Sequence, residues 1–321
     1  MTLRQVVRTY EPRLGWEQRR AARWAFDPAV REQWGFSLRQ SIGYVRSRRT
    51  MLFGPRFMAP WKNYSIGKVL VRLGIRPVFE RERRDPCAVM AWHYETKVTP
   101  DLFEPLVREY GRVINARCID VGKDNVERVH RNVFGYGMAV DPHTHDGPYV
   151  RKSIGQAAKD GVILRGSTDP EPGFVYQRLI QCEAHRGLFE DIRILIAGRC
   201  LSACMVRLRP AESRFGHMPD ISDLRSGRSP FALANVIPVG LILSEPEIRD
   251  VERFACAVGL DYGELDVLRD RNDGRIYVVD VNNVVNGPTV VLSAHDIGRV
   301  LDVYCEATEE LLPRFSPDGG S

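Results

Sequence analysis

Three oxygen-bearing side chains toward the end of the chain have the types and spacing to hold a divalent cation. Residues 261–288 read DYGELDVLRDRNDGRIYVVDVNNVVNGP, which predicts two strands joined by the turn sequence Asn-Asp-Gly at 272–274. If the loop takes those three residues, Asp266 lies directly across from Asp280, with Cβ atoms about 4.5–5.5 Å apart. Asn282 follows Asp280 by two residues and shares its face. Such an all-oxygen set suits Mg²⁺, and a solvated hairpin face carrying ordinary acids is the alternative.

The order of these features resembles the metal-binding end of ATP-grasp enzymes. Glutathione synthetases, D-alanyl-D-alanine ligases and the ligases that add glutamate to a ribosomal protein share a strand, Asp, a turn, a strand, acid-x-Asn and a Gly-Pro loop. In that family the second acid is usually Glu, whereas this chain has Asp280. The resemblance covers about residues 115–290 and implies ATP and Mg²⁺ as cofactors, with Mn²⁺ as a substitute. The metal ligands that it implies are Asp266, Asp280 and Asn282.

The resemblance also implies a lysine on a strand, followed by a glycine-containing loop, to bind the phosphates of ATP. Lys152 in PYVRKS fits this position, and Ser153 and Gly155 begin the loop SIGQAAKDG. Backbone amides approach phosphate oxygens closely, and the lysine adds a compact positive charge. Lys123 corresponds to a second phosphate lysine, and Lys159 is a weaker candidate in the loop. The alternative is that Lys152 simply lies on the polar face of an exposed strand.

The segment VYQRLI at 175–180 resembles the strand whose backbone binds the adenine edge. Gln177 lies in this strand, and Leu179 and Ile180 would contact the ring, although core packing is a fair alternative for this apolar pair. Glu183 is the nearest acid that could bind the ribose hydroxyls, with Glu190 as the second candidate.

A second matching stretch is EDIRILIAGRCLSACMVRLRP at 190–210, which resembles the DIR strand, turn and Arg-ending strand of the glutamate-adding ligases. Alternation puts Asp191, Arg193 and Leu195 on one strand face and three isoleucines on the other. Arg193 is expected to face the nucleotide. Arg207 could neutralise charge on the transferred phosphoryl group, with Arg209 and Arg214 as alternatives; these residues complete the candidate catalytic set.

The predicted fold class is α/β (α+β), an ATP-grasp fold with a small α/β N-terminal domain followed by two α+β subdomains that clamp ATP. Strands are expected at CAVMAWHY (87–94) and VINAR (113–117), and an antiparallel sheet at 148–209. A helix is expected from Glu245 to Val258, opened by Ser244 and ended at Gly259, with a last helix near 295–312. The predicted divisions are a basic, aromatic-rich helical segment at 1–65, the small domain at 66–142, a lid-like subdomain at 143–185, a metal-binding subdomain at 186–312 and a flexible tail at 313–321.

Composition and charge exclude several classes of protein. The 321 residues are 44% hydrophobic, and no run of eighteen apolar residues or apolar leader is present, so a cytoplasmic protein without a membrane span is expected. Seven scattered cysteines indicate reduced thiols rather than a disulfide framework. Residues 1–60 hold twelve Arg and four acids. We interpret this leader as amphipathic helices that dock on a core, and nucleic acid binding is not expected.

The function that follows from the resemblance is a ligase that joins a carboxylate to an amine through an acyl phosphate. Small-molecule or peptide substrates are the expected partners, and a homodimer is compatible with the sequence. A kinase that phosphorylates a hydroxyl on the same fold is one alternative. A non-catalytic protein whose basic leader binds an acidic macromolecule is the other. Residues 210–245, which include a predicted mobile loop, and the N-terminal segments are expected to shape the acceptor pocket.

Overall fold

The computed structural model describes residues 23–54, 64–79, 85–156, 158, 160–215, 233–287 and 292–315. The chain divides into two compact units. The first comprises Met1–Tyr94, Thr99–Arg117 and Val284–Ser321, and the second comprises Glu95–Val98 and Cys118–Asn283. Both units mix helices with strands, which confirms the predicted α and β class.

The main elements are numbered in chain order. The helices are α1 (Pro28–Trp34), α2 (Leu38–Arg46), α3 (Ser65–Leu73), α4 (Glu104–Tyr110), α5 (Lys123–Phe134), α6 (Glu245–Val258) and α7 (Ala294–Leu311). The strands are β1 (Thr50–Gly54), β2 (Arg76–Phe79), β3 (Ala88–Ala91), β4 (Tyr149–Ser153), β5 (Val162–Leu164), β6 (Phe174–Arg178), β7 (Glu183–His185), β8 (Leu188–Ala197), β9 (Cys200–Pro210), β10 (Leu233–Pro238), β11 (Tyr262–Arg269) and β12 (Ile276–Asn282). None of the described helices is long and apolar enough to span a membrane.

The first unit contains a parallel sheet of three strands in the order β2-β1-β3. All five residues of β1 are buried, as expected for a parallel strand covered on both faces. The predicted strand at 87–94 is present as β3. The predicted strand VINAR is wrong, because the positive φ of Asn115 turns the chain and only Ile114 forms a bridge, with Met90.

The second unit is built on an antiparallel sheet in the order β10-β9-β8-β11-β12, with β7 paired to β8. Helices α5 and α6 cover one face of it. Ile192, Ile194 and Ile196 of β8 join Val126 and Phe254 of these helices in one core cluster. The predicted alternation along β8 is therefore confirmed, and the opposite face is left for Asp191 and Arg193.

A second antiparallel sheet in this unit has three strands in the order β5-β4-β6. The pairing of β8 with β9 is also antiparallel. The antiparallel arrangement predicted for 148–209 is thus confirmed.

Helix α6 shows how local sequence fixes an element that supports the sheet. Ser244 and Glu247 form a reciprocal capping box at its start, with the Ser244 N–H donating to Glu247 Oε2 at 2.8 Å. Gly259 ends the helix with a φ of 77°, a left-handed conformation that glycine adopts without a steric cost. These bounds are the ones that the sequence predicts.

The compact units divide the chain at other positions than the domain boundaries predicted from the sequence. After Asn283 the chain returns to the first unit, where the Ser65 N–H donates to Val285 O at 3.0 Å and buried Lys68 donates to Gly287 O. Helix α7, which lies within the predicted metal-binding subdomain at 186–312, belongs to the first unit with α3. Parts of the predicted basic segment and tail, 1–22 and 316–321, lie outside the described residues.

Candidate active site

The hairpin of β11 and β12 places the predicted metal ligands on one face. Asp266 pairs directly with Asp280, and Glu264 pairs with Asn282. The predicted pairing is therefore confirmed. Residues 264 and 266 alternate with buried Leu265 and Val267, whose side chains belong to the core cluster on the other face.

The pairing arises in a different way from the one that the sequence suggests. The turn is longer than three residues, because Arg269 pairs with Ile276 and the Asp270 N–H donates to Arg275 O at 2.9 Å. A β-bulge then takes up one extra residue at Val279, between the pair Val267–Val278 and the pair Asp266–Asp280. The bulge allows Ile276 and Val278 to point into the core and Asp280 to point to the opposite face.

Asp280 lies among groups of both charge signs. Burial raises the pKa of its carboxyl to about 6; the ammonium groups of Lys123 and Lys152 oppose this shift, and Asp266 adds to it. The Val281 N–H donates to Asp280 Oδ1 at 3.1 Å. The Asp280 oxygens therefore retain capacity to bind a cation.

Lys152 projects from β4 into the same cluster. Its Nζ donates to Gln177 Oε1 at 3.2 Å. Burial lowers the pKa of Lys152 to about 8; Lys123 lowers it further, and Asp280 opposes this shift. Buried Gln177 has no hydrogen-bond partner for Nε2 among the described residues. A polar ligand with an acceptor group would satisfy that atom.

The predicted phosphate loop lies beside Lys123. This lysine is the first residue of α5 and is buried, and its Nζ donates to Gly155 O at 2.6 Å. Ser153 is bound by Asp160, which accepts hydrogen bonds from both its hydroxyl and its N–H. Lys159, the weaker predicted candidate, lies outside the described residues.

Gln156 connects the predicted phosphate loop to the end of β12, the strand that carries Asp280. Its N–H donates to Thr96 Oγ1 at 2.8 Å, and its side-chain amide lies 3.4 Å from Val281 O and from Asn283 Oδ1. The loop is thus held next to the strand that carries Asp280.

The two predicted catalytic arginines are engaged with carboxylates. Arg193 pairs across strands with Asp266, and its Nε and Nη2 donate to the two Asp266 oxygens at 2.8 and 3.0 Å. Its Nη1 donates to Glu264 Oε2 at 2.8 Å. Asp266, Glu264 and Asp191 outweigh the opposing effect of burial and raise the pKa of Arg193 above its usual range.

Arg207 and Arg209 of β9 share Asp191. Arg207 Nη2 lies 2.7 Å from both Asp191 oxygens and 3.6 Å from Asp266 Oδ1. Arg209 donates to Asp191 Oδ2 at 2.7 and 3.0 Å. These arginines hold the pKa of the Asp191 carboxyl well below its usual range, although burial opposes the shift. The face opposite the core is therefore a continuous network of alternating charges.

The predicted base-binding segment at 175–180 is held by a hydrogen bond to its last carbonyl. Ile180 is buried, and its carbonyl accepts a hydrogen bond from Arg214 Nη2, which also lies 3.5 Å from Cys182 Sγ. Leu179 is half-buried. Glu183, predicted to bind ribose, is exposed, and its carboxylate accepts from the Gly187 N–H at 2.6 Å within a tight turn. The structure therefore does not bring Glu183 into the charged cluster.

The donor set at the hairpin fits a magnesium ion. Asp266, Asp280 and Asn282 lie at paired positions on one face of the two strands, and their side chains carry the kind of oxygen atoms that Mg²⁺ prefers. No group of three or more His, Cys, Asp or Glu side chains in the described part of the chain is arranged to hold a metal.

Glu264 and Asp191 belong to the charged network, although neither was predicted to be a site residue. Glu264 is 1% exposed and lies two residues before Asp266 on the same strand. Period-two alternation from Asp266 is the signal that could have found it. Asp191 was placed on the face of Arg193, but nothing in the strand sequence showed that Arg207 and Arg209 would both bind it.

Comparisons with known proteins give a structural likeness and no sequence match. No family model matches the chain, and no curated protein sequence matches it. Several solved structures are similar to it. They are ATP-grasp ligases. The structure of the ligase PsnB complexed with a minimal precursor is 14% identical and covers 81% of this chain and 98% of its own, with a TM-score of 0.45.

Two further structures are similar over comparable lengths. A RimK domain protein from Sphaerobacter thermophilus is 15% identical and covers 82% of this chain and 99% of its own, with a TM-score of 0.44. D-alanine–D-alanine ligase from Bacillus anthracis, complexed with ATP, is 13% identical and covers 85% and 100%, with a TM-score of 0.46.

Proposed function

We propose that this chain is an ATP-grasp ligase that uses ATP and Mg²⁺ to join a carboxylate to an amine. The single observation that carries the proposal is the convergence of two lysines with two aspartates. Lys123 and Lys152 lower the pKa of Asp280, and Asp266 raises it. The four residues come from four different elements of the second unit. A triphosphate with a divalent cation has the charges that such a mixed cluster complements.

In this proposal the lysines and the loop bind the phosphates. Lys152 and Lys123 supply positive charge, and the Lys123 ammonium now held by Gly155 O moves to a phosphate oxygen. Backbone N–H groups of Ser153 and Gly155 add hydrogen bonds. Gln177, Leu179 and Ile180 line the base, and Glu183 or Glu190 remains the proposal for the ribose.

The aspartates and Asn282 are proposed to hold Mg²⁺, which neutralises phosphate charge when it is bound. Arg193 and Arg207 lie beside Asp266 and add positive charge near the transferred group. A substrate carboxylate oxygen attacks the γ-phosphorus, the bond to the β-phosphate oxygen breaks, and ADP leaves. An amine nitrogen then attacks the acyl carbon, phosphate leaves, and the amine proton passes to solvent. The chain contributes position and electrostatics to both steps.

The proposal is tested by incubating the protein with ATP, Mg²⁺ and pools of carboxylates, with hydroxylamine in place of the natural amine. A ligase forms a hydroxamate and releases ADP and phosphate in equal amounts, and Lys152→Met reduces both products. A phosphorylated alcohol without hydroxamate would favour a kinase. Absence of any ATP consumption, together with absence of ATP binding, would overturn the proposal.

A further inference from the structure

Glu264 has no role in the proposed binding of the cation or the phosphates, yet it is among the most deeply buried charged groups of the second unit. It is 1% exposed and lies on β11 across from Asn282. Its Oε2 accepts from Arg193 Nη1 at 2.8 Å, while the other two nitrogens of the same guanidinium, Nε and Nη2, donate to Asp266. One arginine is therefore shared by two carboxylates that are two residues apart.

This sharing matters because Asp266 is also the proposed ligand of a divalent cation. A cation at Asp266 brings a double positive charge next to Arg193, and like charges at such distances repel strongly in a low-dielectric site. The repulsion is reduced if the guanidinium keeps a carboxylate that the cation does not use. Glu264 supplies that carboxylate by accepting a hydrogen bond from Arg193 Nη1.

Glu264 in turn depends on Arg193, because its carboxylate is buried. A buried carboxylate without an ionic partner is strongly destabilising in proteins, so Glu264 has little freedom to leave the guanidinium. Arg193 is consequently fixed between Glu264 and Asp266 rather than free to turn into the cation site.

We propose that Glu264 is a positioning residue for the metal site: it retains Arg193 as a counter-ion partner when a divalent cation binds Asp266, and so permits that cation to bind. This inference rests on the proposed function. Residues that orient metal ligands from outside the coordination sphere typically change metal affinity by about 10–100-fold when they are replaced.

The test measures Mn²⁺ binding directly, by the electron paramagnetic resonance signal of free Mn²⁺ titrated with protein in the presence of ADP. Glu264→Gln keeps the size of the side chain and an acceptor oxygen for Arg193 but removes the charge. We expect its Mn²⁺ dissociation constant to rise about tenfold or more relative to wild type. Steady-state turnover should show the same rise in the Mg²⁺ concentration for half-maximal rate, with kcat restored at saturating Mg²⁺.

The double variant Arg193→Met with Glu264→Gln separates this role from a loss of folding. With the arginine absent, no uncompensated positive charge is left, so Mn²⁺ affinity should return to the wild-type value or exceed it. Glu127→Gln is the matched control. Glu127 is a buried carboxylate of the same unit that pairs with Arg131 and accepts from the Met138 N–H, and its replacement should lower thermal stability without changing Mn²⁺ affinity.

Each outcome has a separate meaning. If wild type binds no Mn²⁺ in the presence of ADP, the proposed function fails. If wild type binds Mn²⁺ and Glu264→Gln binds it within twofold of the same affinity, only the role of Glu264 is overturned. A tenfold loss in Glu264→Gln that the double variant does not reverse also overturns it, because the loss would not then depend on Arg193.

Discussion

The buried imidazole of His130 makes the stability of this protein sensitive to acid. The ring stacks on Phe134 at 4.3 Å and on Tyr277 at 5.6 Å, with the edge of Tyr136 at 5.3 Å. Neither ring nitrogen has a hydrogen-bond partner among the described residues, and burial lowers the pKa of His130 to about 4. The titratable groups packed against it are the phenols of Tyr136 and Tyr277, whose pKa values burial raises.

The size of the effect follows from proton linkage. The unfolded chain has the ordinary histidine pKa of 6.5 and therefore binds more protons than the folded chain between pH 6.5 and pH 4. Stability from neutral, buried His130 is fully present above pH 6.5 and is lost as the pH falls through this window. At about 1.4 kcal/mol per pH unit, the loss reaches about 3 kcal/mol.

His130→Phe removes the titrating group and keeps an aromatic ring. Guanidinium unfolding followed by circular dichroism at several pH values should show that the wild type loses about 3 kcal/mol more than His130→Phe between pH 7 and pH 4. Phe134→Leu is the control, because it disturbs the same stack and should lower the free energy of unfolding by a similar amount at every pH. Parallel pH profiles for wild type and His130→Phe would refute the reasoning.

Three further predictions concern the charged groups. Lys152→Met should weaken ATP binding about tenfold or more, because a charge-assisted hydrogen bond contributes roughly 1.5–3 kcal/mol, and fluorescence titration measures the dissociation constant. Asp280→Asn should raise the thermal midpoint of unfolding at pH 7 by about 2 °C or more, because burial disfavours the ionised carboxyl. The same variant should lose ATP turnover. An unchanged midpoint in calorimetry would contradict the predicted gain in stability. Arg178→Met should lower the free energy of unfolding by about 3–5 kcal/mol, because the fully buried carboxylate of Asp270 loses its arginine partner at 2.7 Å. Chemical denaturation measures this loss, and a loss under about 1 kcal/mol would contradict the prediction.

The parts of this structure that short-range chemistry determines could be predicted from the sequence. The capping box and glycine of α6 fix its two ends, and the alternation along β8 separates the isoleucines from Arg193. The pairing of Asp266 with Asp280 was also predicted. The bulge at Val279 that produces it was not, because one extra residue in a strand leaves no local signal in an apolar run.

The partners of charged residues depend on contacts between distant strands, and these were harder to predict. Arg193 was expected to face the nucleotide and Arg207 to bind phosphate, but their partners within the chain, Asp266, Glu264 and Asp191, were not predicted. A single sequence shows that an arginine is on the correct face but not which acid of a neighbouring strand it meets. The return of the chain to the first unit after Asn283 was likewise missed, since it depends on contacts with residues more than 200 positions earlier.

In the proposed function, Lys152 and Asp280 lie in one site that binds ATP together with a divalent cation. Isothermal titration calorimetry with a non-hydrolysable ATP analogue and Mg²⁺ measures this binding. We expect saturable binding of one nucleotide per chain, dependent on Mg²⁺, and a loss of affinity in both Lys152→Met and Asp280→Asn. No heat of binding to the wild-type chain, or equal affinity in all three proteins, would contradict the claim.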